Sequence, residues 1–103
     1  MEQIEHPGVA AFVADIMFRE GSKSATGMIH KALNETLGPD AVKNDAKFRP
    51  DDVLVLNSLT LEEKRMFADY LGAARAQKYY GKDVYEGEKR RAEHFRDLAK
   101  DGN

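Results

Sequence analysis

Apolar residues recur along most of the chain at spacings of three and four residues, the pattern of an α-helix with one buried face. The first such run consists of Val9, Phe12, Val13, Ile16 and Met17. Pro7 suits the first turn of this helix, and Gly21 marks its end. The apolar stripe is widened by Ala10, Ala11, Ala14 and Phe18, so we predict that this helix is covered on more than one side.

A second amphipathic run extends from Ala25 to Leu37. Ser22 or Ser24 is available as its N-cap, and Gly38-Pro39 ends it. Residues 40–49 are mostly polar, which predicts a loop or one short helical turn between this helix and the next element.

The segment Val53–Leu56 is a short apolar run whose period does not distinguish a helix from a strand. Its β-branched residues favour extended structure, whereas the Pro50-Asp51-Asp52 sequence before it is typical of the start of a helix. The sequence contains no second candidate strand, so a strand here would need a partner from another molecule. We therefore predict a short buried helix, with an intermolecular strand pair as the alternative.

A long helix is predicted at about residues 60–80. Thr60 and Glu63 have the spacing of a capping box, in which each side chain accepts a hydrogen bond from the other residue's backbone. Gly81 stands where a left-handed residue would end this helix. The segment Val84–Lys100 is predicted to form a C-terminal helix, because oppositely charged side chains three and four residues apart support its solvated face.

These elements predict one all-α domain over residues 1–103, a small dimeric bundle of four to five helices with frayed ends at residues 1–6 and 101–103. The chain contains no cysteine, which excludes disulfides, thiolate catalysis and cysteine zinc sites. Asp15 interrupts the apolar run Val9–Phe18, and no basic leader precedes that run, so we expect neither a signal peptide nor a membrane span. A cytoplasmic location is expected.

Histidines and serines are the natural candidates for catalysis. His6, His30 and His94 lie far apart and have none of the spacings of metal-binding pairs, and no serine lies in a nucleophile-elbow pattern. An enzyme would have to assemble its site from scattered residues such as His30, His94 and Asp69. We therefore predict no catalytic, cofactor or metal site, and we place His30 at the boundary of the core.

The long helix and the segment after it carry more aromatic surface than a small bundle usually buries, and tyrosine, methionine and arginine are enriched at protein interfaces. We predict an interface with a second copy or with a different protein, formed by Met66, Tyr70, Ala73, Ala76, Tyr79, Tyr80, Tyr85 and Phe95. Rim or phosphate contacts are predicted for Arg75, Arg90 and Arg91. The alternative is that these residues pack within one monomer.

The predicted function is regulatory and non-enzymatic: the protein binds another protein and covers part of its surface, as an antagonist of a transcription factor or of another target does. The alternative is a DNA-binding regulator that uses the basic C-terminal helix, Lys89–Lys100. Acidic residues interrupt that basic cluster and raise the cost of bringing a polyanion close, and the net charge of the chain is only −2. No cofactor and no membrane partner are predicted.

Overall fold

The computed structural model describes residues 3–43, 45, 47–83 and 85–100, and within them the chain forms five α-helices and no strand. The helices are α1 (Pro7–Glu20), α2 (Ser22–Leu37), α3 (Pro50–Ser58), α4 (Leu61–Lys78) and α5 (Tyr85–Lys100). The radius of gyration is 12.6 Å, close to the ~13 Å expected of a compact domain of about 100 residues. The prediction of an all-α bundle with four to five helices is confirmed. None of these helices combines the length and the apolar content that crossing a membrane requires.

The predicted frayed ends are only partly described. Residues 1–2 and 101–103 lie outside the described residues, as does Val84, the predicted start of the last helix. Ahead of α1, the Asn57 side chain donates a hydrogen bond to the Gln3 carbonyl and accepts one from the Glu5 backbone N–H, each at 2.8 Å. These two bonds tie the segment before α1 to the end of α3.

A single glycine separates α1 from α2. His6 caps the start of α1, where its Nδ1 accepts a hydrogen bond from the Val9 backbone N–H at 3.1 Å. Gly21 ends α1 and is also the N-cap of α2; its φ of 82° lies in the left-handed region that favours glycine. The predicted serine cap of α2 is wrong, because Gly21 already occupies the cap position and Ser22 is the first helical residue.

The segment Val53–Leu56 is helical and belongs to α3, so the predicted helix is confirmed and the alternative strand is not formed. Pro50 occupies the first turn, and Asp52 Oδ2 accepts a hydrogen bond from the Arg49 backbone N–H at 2.8 Å, which satisfies a backbone donor at the start of the helix. Val53 and Leu56 are buried, whereas Leu54 is 50% exposed, so only one side of α3 faces the core.

The long helix α4 begins at a capping box, where Thr60 Oγ1 accepts from the Glu63 backbone N–H at 3.1 Å and Glu63 Oε1 accepts from the Thr60 backbone N–H at 2.8 Å. The helix ends at Lys78, and Gly81 follows with a φ of 80°. The core lies where α1, α2 and α4 meet, closed by the end of α3. Its largest fully buried apolar side chains are Phe12, Ile16, Ile29, Leu33, Leu56, Phe67 and Leu71.

The last helix, α5, runs antiparallel to both α1 and α4. Along α1, Gly8 lies against Leu98 and Ala99, and Phe12 stacks on Phe95 with ring centroids 6.2 Å apart. A Cβ atom on Gly8 would collide with the Leu98 carbonyl and lie 2.8 Å from the Ala99 Cα. The two helices therefore touch backbone to backbone, and only glycine permits this approach.

Candidate interaction surface

Residues 79–83, which lie between α4 and α5, form a compact turn that projects aromatic and basic side chains. The Lys82 backbone N–H donates to the Tyr79 carbonyl at 3.0 Å, and the Tyr85 backbone N–H donates to the Lys82 carbonyl at 3.0 Å. These bonds, with Gly81 in the left-handed region, reverse the chain within a few residues. Tyr79 and Tyr80, the two tyrosines before the glycine, point in different directions.

Tyr79 faces inward and fastens the turn to α1. Its phenol lies 2.8 and 2.7 Å from the two carboxylate oxygens of Glu20 and donates its hydrogen bond to that carboxylate. Burial and the Glu20 carboxylate raise the pKa of Tyr79 to about 12. Tyr79 is therefore a structural contact within the chain, although it belongs to the predicted interface.

Tyr80 faces outward and is 71% exposed. Its ring packs edge-to-face against the ring of Tyr85, with centroids 5.5 Å apart and planes at 83°. Lys82 Nζ lies 5.8 Å from the Tyr79 ring centroid, and Lys89 Nζ lies 5.9 Å from that of Tyr85. We call Tyr80, Tyr85, Lys82 and Lys89 the tyrosine turn.

Beneath the tyrosine turn lies Arg75, whose side chain is fully buried. The predicted rim contact of Arg75 is therefore wrong, because its guanidinium faces carboxylates on α1 and α5. Nη1 lies 2.5 Å from Asp15 Oδ2, Nε lies 3.8 Å from Glu20 Oε2, and Nη2 lies 3.8 Å from Glu88 Oε2. These three contacts are ion pairs.

Each of these three carboxylates has a second cationic partner. Arg91 binds Asp15 through Nε and Nη2 at 3.1 and 2.6 Å, Lys78 binds Glu20 at 2.6 Å, and Arg19 binds Glu88. The resulting Arg75 cluster consists of Asp15, Arg19, Glu20, Arg75, Lys78, Glu88 and Arg91. It joins α1, α4 and α5 at the end of the bundle that carries the tyrosine turn.

Protonation in the Arg75 cluster is biased toward the ion pairs. Burial alone would raise the pKa of Asp15, but hydrogen bonds from Arg91 and the charge of Arg75 outweigh it and lower that pKa below its usual value. Burial likewise raises the pKa of Glu20, and the bonds from Lys78 and Tyr79 lower it further than burial raises it. Both carboxylates are thus held in their charged form.

The remaining residues of the predicted interface differ in exposure, and two of them, Ala73 and Ala76, line a groove together with Lys89 of the tyrosine turn. Met66 and Ala73 are exposed on α4, whereas Tyr70 and Phe95 are half-buried against the core. The half-buried Ala76 lines a groove of about 170 Å³ between α4 and α5. At Gly72, in the same groove, a Cβ atom would lie 3.4 Å from the Arg96 side chain. The small residues of α4 therefore admit α5 of the same chain, as the monomer alternative predicts.

His30 lies deeper than predicted and is fully buried. Its Nε2 lies 2.9 Å from Asp52 Oδ2, and its Nδ1 lies 3.1 Å from the Asp45 carbonyl oxygen. Because a carbonyl oxygen only accepts, Nδ1 carries a hydrogen and donates to Asp45. His30 thus joins α2 to the start of α3 and to the loop before it.

The structure does not place the three candidate catalytic residues, His30, His94 and Asp69, around one groove. Asp69 pairs with Lys100 at 2.9 Å and lines the groove between α4 and α5, which neither His30 nor His94 lines. Within the described part of the chain, no group of three or more histidine and acidic side chains is arranged to hold a metal ion.

The basic residues of α5, which the DNA-binding alternative requires, are mostly paired with carboxylates. Arg91 binds Asp15, Arg96 binds Asp97 at 3.0 Å, and Lys100 binds Asp69. Among the described residues, only Lys89 and Arg90 of this helix make no ion pair. Two free cations give a small electrostatic contribution to phosphate binding.

The described part of the chain is an all-α bundle of five helices that carries an exposed aromatic turn above a buried ionic cluster. Comparisons with protein-family models, with curated proteins and with solved structures find no match to it.

A second exposed surface lies on α1 and was not predicted as an interface. Phe18 is 83% exposed, and Pro7 and Ala14 are exposed on the same helix. The predicted covering of α1 on more than one side holds for the sides that face the core and α5, but this outer side is open. The sequence does carry a signal for this exposed apolar surface. The helix is apolar nearly all round, and Asp15 is its only charged residue before Arg19.

Proposed function

We propose that this protein is a small, non-enzymatic, cytoplasmic regulator that binds another protein through its tyrosine turn and occludes part of that protein's surface. The observation that carries the proposal is the 71% exposure of Tyr80, a large aromatic side chain whose ring is positioned by Tyr85. A transcription factor is one class of target for such an antagonist, which would then act as an anti-activator or inhibitor.

Tyrosine suits this role because its ring offers a large contact area and has only two side-chain torsions to fix on binding. The edge-to-face contact with Tyr85 already restricts the ring of Tyr80 in the free protein. Binding therefore requires less loss of side-chain entropy than it would for an isolated surface tyrosine. Tyr80 is the expected hot spot of the interface.

The support beneath the turn also favours a preformed surface. Tyr79 ties the turn to Glu20 on α1, and the Arg75 cluster joins α1 to both helices that the turn connects. A surface held on three helices reaches its partner with little rearrangement.

Charge around the turn indicates the chemistry of the partner. Lys82 and Lys89 lie beside the aromatic rings, and Arg90 is exposed one residue further along α5. A partner with an apolar pocket for Tyr80 and acidic residues at its edge would complement this surface. Of the three predicted rim arginines, Arg75 is buried and Arg91 binds Asp15, whereas Arg90 is exposed and makes no ion pair with any described residue.

The proposal is tested by placing a photo-crosslinking amino acid at position 80 and at position 54, and irradiating each variant in lysate of the native cell after nuclease treatment. Leu54 is the matched control, because it is also exposed and apolar but lies on α3. We expect one dominant crosslinked protein from position 80 only. Unlabelled wild-type protein should compete with this crosslink, and the Tyr80→Ala variant should compete at least about tenfold less well.

Two results would count against the proposal. Equal competition by wild type and Tyr80→Ala would show that the tyrosine turn does not bind the captured protein. Capture that disappears with nuclease and falls steeply with salt would instead favour the DNA-binding alternative, for which Lys89 and Arg90 are the available phosphate contacts.

A further inference from the structure

The N-terminal end of α1 depends on one titratable side chain. Pro7, the first helical residue, has no backbone N–H, and His6 Nδ1 accepts the hydrogen bond of the Val9 N–H at 3.1 Å. The first turn of α1 contains no acidic residue, whereas the first turns of α3 and α4 contain two each. The imidazole of His6 is therefore the side chain that stabilises this helix end.

A histidine that accepts this hydrogen bond is neutral. Nδ1 accepts through its lone pair, so the ring hydrogen is on Nε2. A proton bound to Nδ1 would turn this acceptor into a donor that faces the Val9 N–H, and the hydrogen bond would be lost. Serine, threonine and asparagine are common caps, and their side chains keep an acceptor at mildly acidic pH. A histidine in this position makes the cap of α1 sensitive to acid.

The surroundings of His6 disfavour the charged ring. The residue is 8% exposed, and Nε2 is buried without a hydrogen-bond partner among the described residues. Burial lowers the pKa of His6 below its usual value of 6.5, and the positive charge of Lys64 on α4 lowers it further. The partial positive charge at the N-terminus of α1 acts in the same direction. The folded protein thus favours the neutral ring.

The other described groups beside this segment do not offset the charge of Lys64. Glu5 precedes His6 in the sequence and is exposed. The last turn of α5 packs against the start of α1, and its Lys100 is a further cation, which pairs with Asp69 on α4. The end of α3 contributes an uncharged amide.

We propose that protonation of His6 in mildly acidic solution breaks the cap of α1 and releases the segment before that helix from the bundle. An imidazolium that moves into water carries the adjoining residues with it. Two exposed hydrogen bonds of Asn57, to Gln3 and to Glu5, then remain to hold the segment. Ile4 lies between these two residues and packs against the core, so its release exposes core surface.

The opening is confined to one end of α1. The opposite end is fixed by the hydrogen bond between Tyr79 and Glu20. The pKa values of Asp15 and Glu20 lie below their usual values of 3.8 and 4.5, so both carboxylates keep their charge at the pH at which His6 is protonated. The tyrosine turn therefore keeps its support, and this inference does not rest on the proposed function.

Proton NMR of the full chain between about pH 8 and pH 5 tests the proposal. The Cε1 proton of His6 should titrate with a midpoint below 6.5. Over this titration the hydrogen-exchange protection factor of the Val9 amide should fall at least about fivefold, the loss expected when an N-cap is removed. The Glu63 amide is the matched reference, because the Thr60 hydroxyl caps it at the same helix position and does not titrate. Its protection factor should stay constant.

Two variants separate the cap from its charge. His6→Asn retains a capping side chain that does not titrate, so the Val9 protection factor should be independent of pH. Lys64→Gln retains the histidine and removes the neighbouring positive charge, so the midpoint of the His6 titration should rise toward 6.5. This second variant tests the same site if His6→Asn does not fold.

Three results would contradict the proposal. A His6 midpoint at or above 6.5 in wild type would show that the fold does not hold the ring neutral. A constant Val9 protection factor through the titration of His6 would show that the cap survives protonation. An equal fall in wild type and in His6→Asn would assign the acid sensitivity to another group.

Discussion

Removing the charge of Asp15 while keeping its size is expected to destabilise the fold more than removing Arg75 itself. Asp15 Oδ2 lies 2.5 Å from Arg75 Nη1, whereas the other two carboxylates lie 3.8 Å from the guanidinium. The Arg75 side chain is fully buried, so water cannot replace the lost partner. Asp15→Asn therefore leaves a buried cation without its closest counter-ion.

The magnitudes follow from which charges keep a partner. Breaking a buried ion pair by removing one member costs ~3–5 kcal/mol, and we take ~3 kcal/mol because Glu20 and Glu88 stay near Arg75. Arg75→Met is expected to cost no more than ~1 kcal/mol, because an apolar side chain of similar length fills the space and buried ion pairs are often replaceable in this way. The three carboxylates then retain Arg91, Lys78 and Arg19.

The double variant Asp15→Asn/Arg75→Met isolates the interaction. In the Arg75→Met background, Asp15→Asn loses only the pair with the partly exposed Arg91, which is worth ~1 kcal/mol. The coupling energy between positions 15 and 75 is thus about 2 kcal/mol. Urea unfolding followed by far-ultraviolet circular dichroism measures all four chains, and ~3 kcal/mol corresponds to a midpoint shift of about 1–3 M urea. Additive effects, or a larger loss for Arg75→Met than for Asp15→Asn, would refute this account.

Three further predictions concern the packing and the titration of this bundle. Gly8→Ala should lose ~1–3 kcal/mol of stability because its Cβ meets the α5 backbone, whereas Gly87→Ala, with open space around its Cβ, should gain ~0.5–1 kcal/mol in the same chemical denaturation assay. The raised pKa of Tyr79 predicts that its phenolate forms near pH 12. The stability that its hydrogen bond to Glu20 contributes should be fully present below the ordinary pKa of 10.0 and be lost as the pH rises from 10 to about 12. Ultraviolet titration of wild type and of Tyr79→Phe measures this ionisation. The lowered pKa values of Asp15 and Glu20 contribute stability above their ordinary values of 3.8 and 4.5, and this contribution should fall as the pH drops below them, as thermal unfolding between neutral and acidic pH would show.

Helix boundaries were accessible from the sequence because their signals are local. Pro7 and Pro50 lie in first turns, the Thr60 and Glu63 pair spans three residues, and Gly21 and Gly81 sit at reversals of the chain. The serine caps predicted for α2 failed for an equally local reason, since Gly21 serves two helices and leaves no cap position for Ser22.

The Arg75 cluster was not accessible, because it depends on tertiary contacts. Asp15 and Arg91 are 76 residues apart in sequence, and Glu20 and Tyr79 are 59 apart. From the sequence alone, Arg75 is expected at the surface, because arginine is rarely buried unless it is paired. The lone Asp15 within an apolar run was the one available sign that a charge would be buried there.

Asp15 also determines which side of α1 faces the core. This helix is apolar nearly all round, so several rotations about its axis would bury comparable apolar area. Only the observed rotation brings Asp15 to Arg75 and Arg91 and leaves Phe18 outside; other rotations separate buried charges from their partners. The ionic cluster thus accounts for the exposed outer side of α1, which an all-apolar helix would not specify by itself.

In Asp15→Asn/Arg75→Met this constraint is absent. We expect that double variant to keep its helix content and most of its stability, while α1 becomes less uniquely oriented. Amide hydrogen exchange should then be faster in α1 than in wild type and unchanged in α2. Wild-type protection throughout α1 would show that apolar packing alone orients the helix.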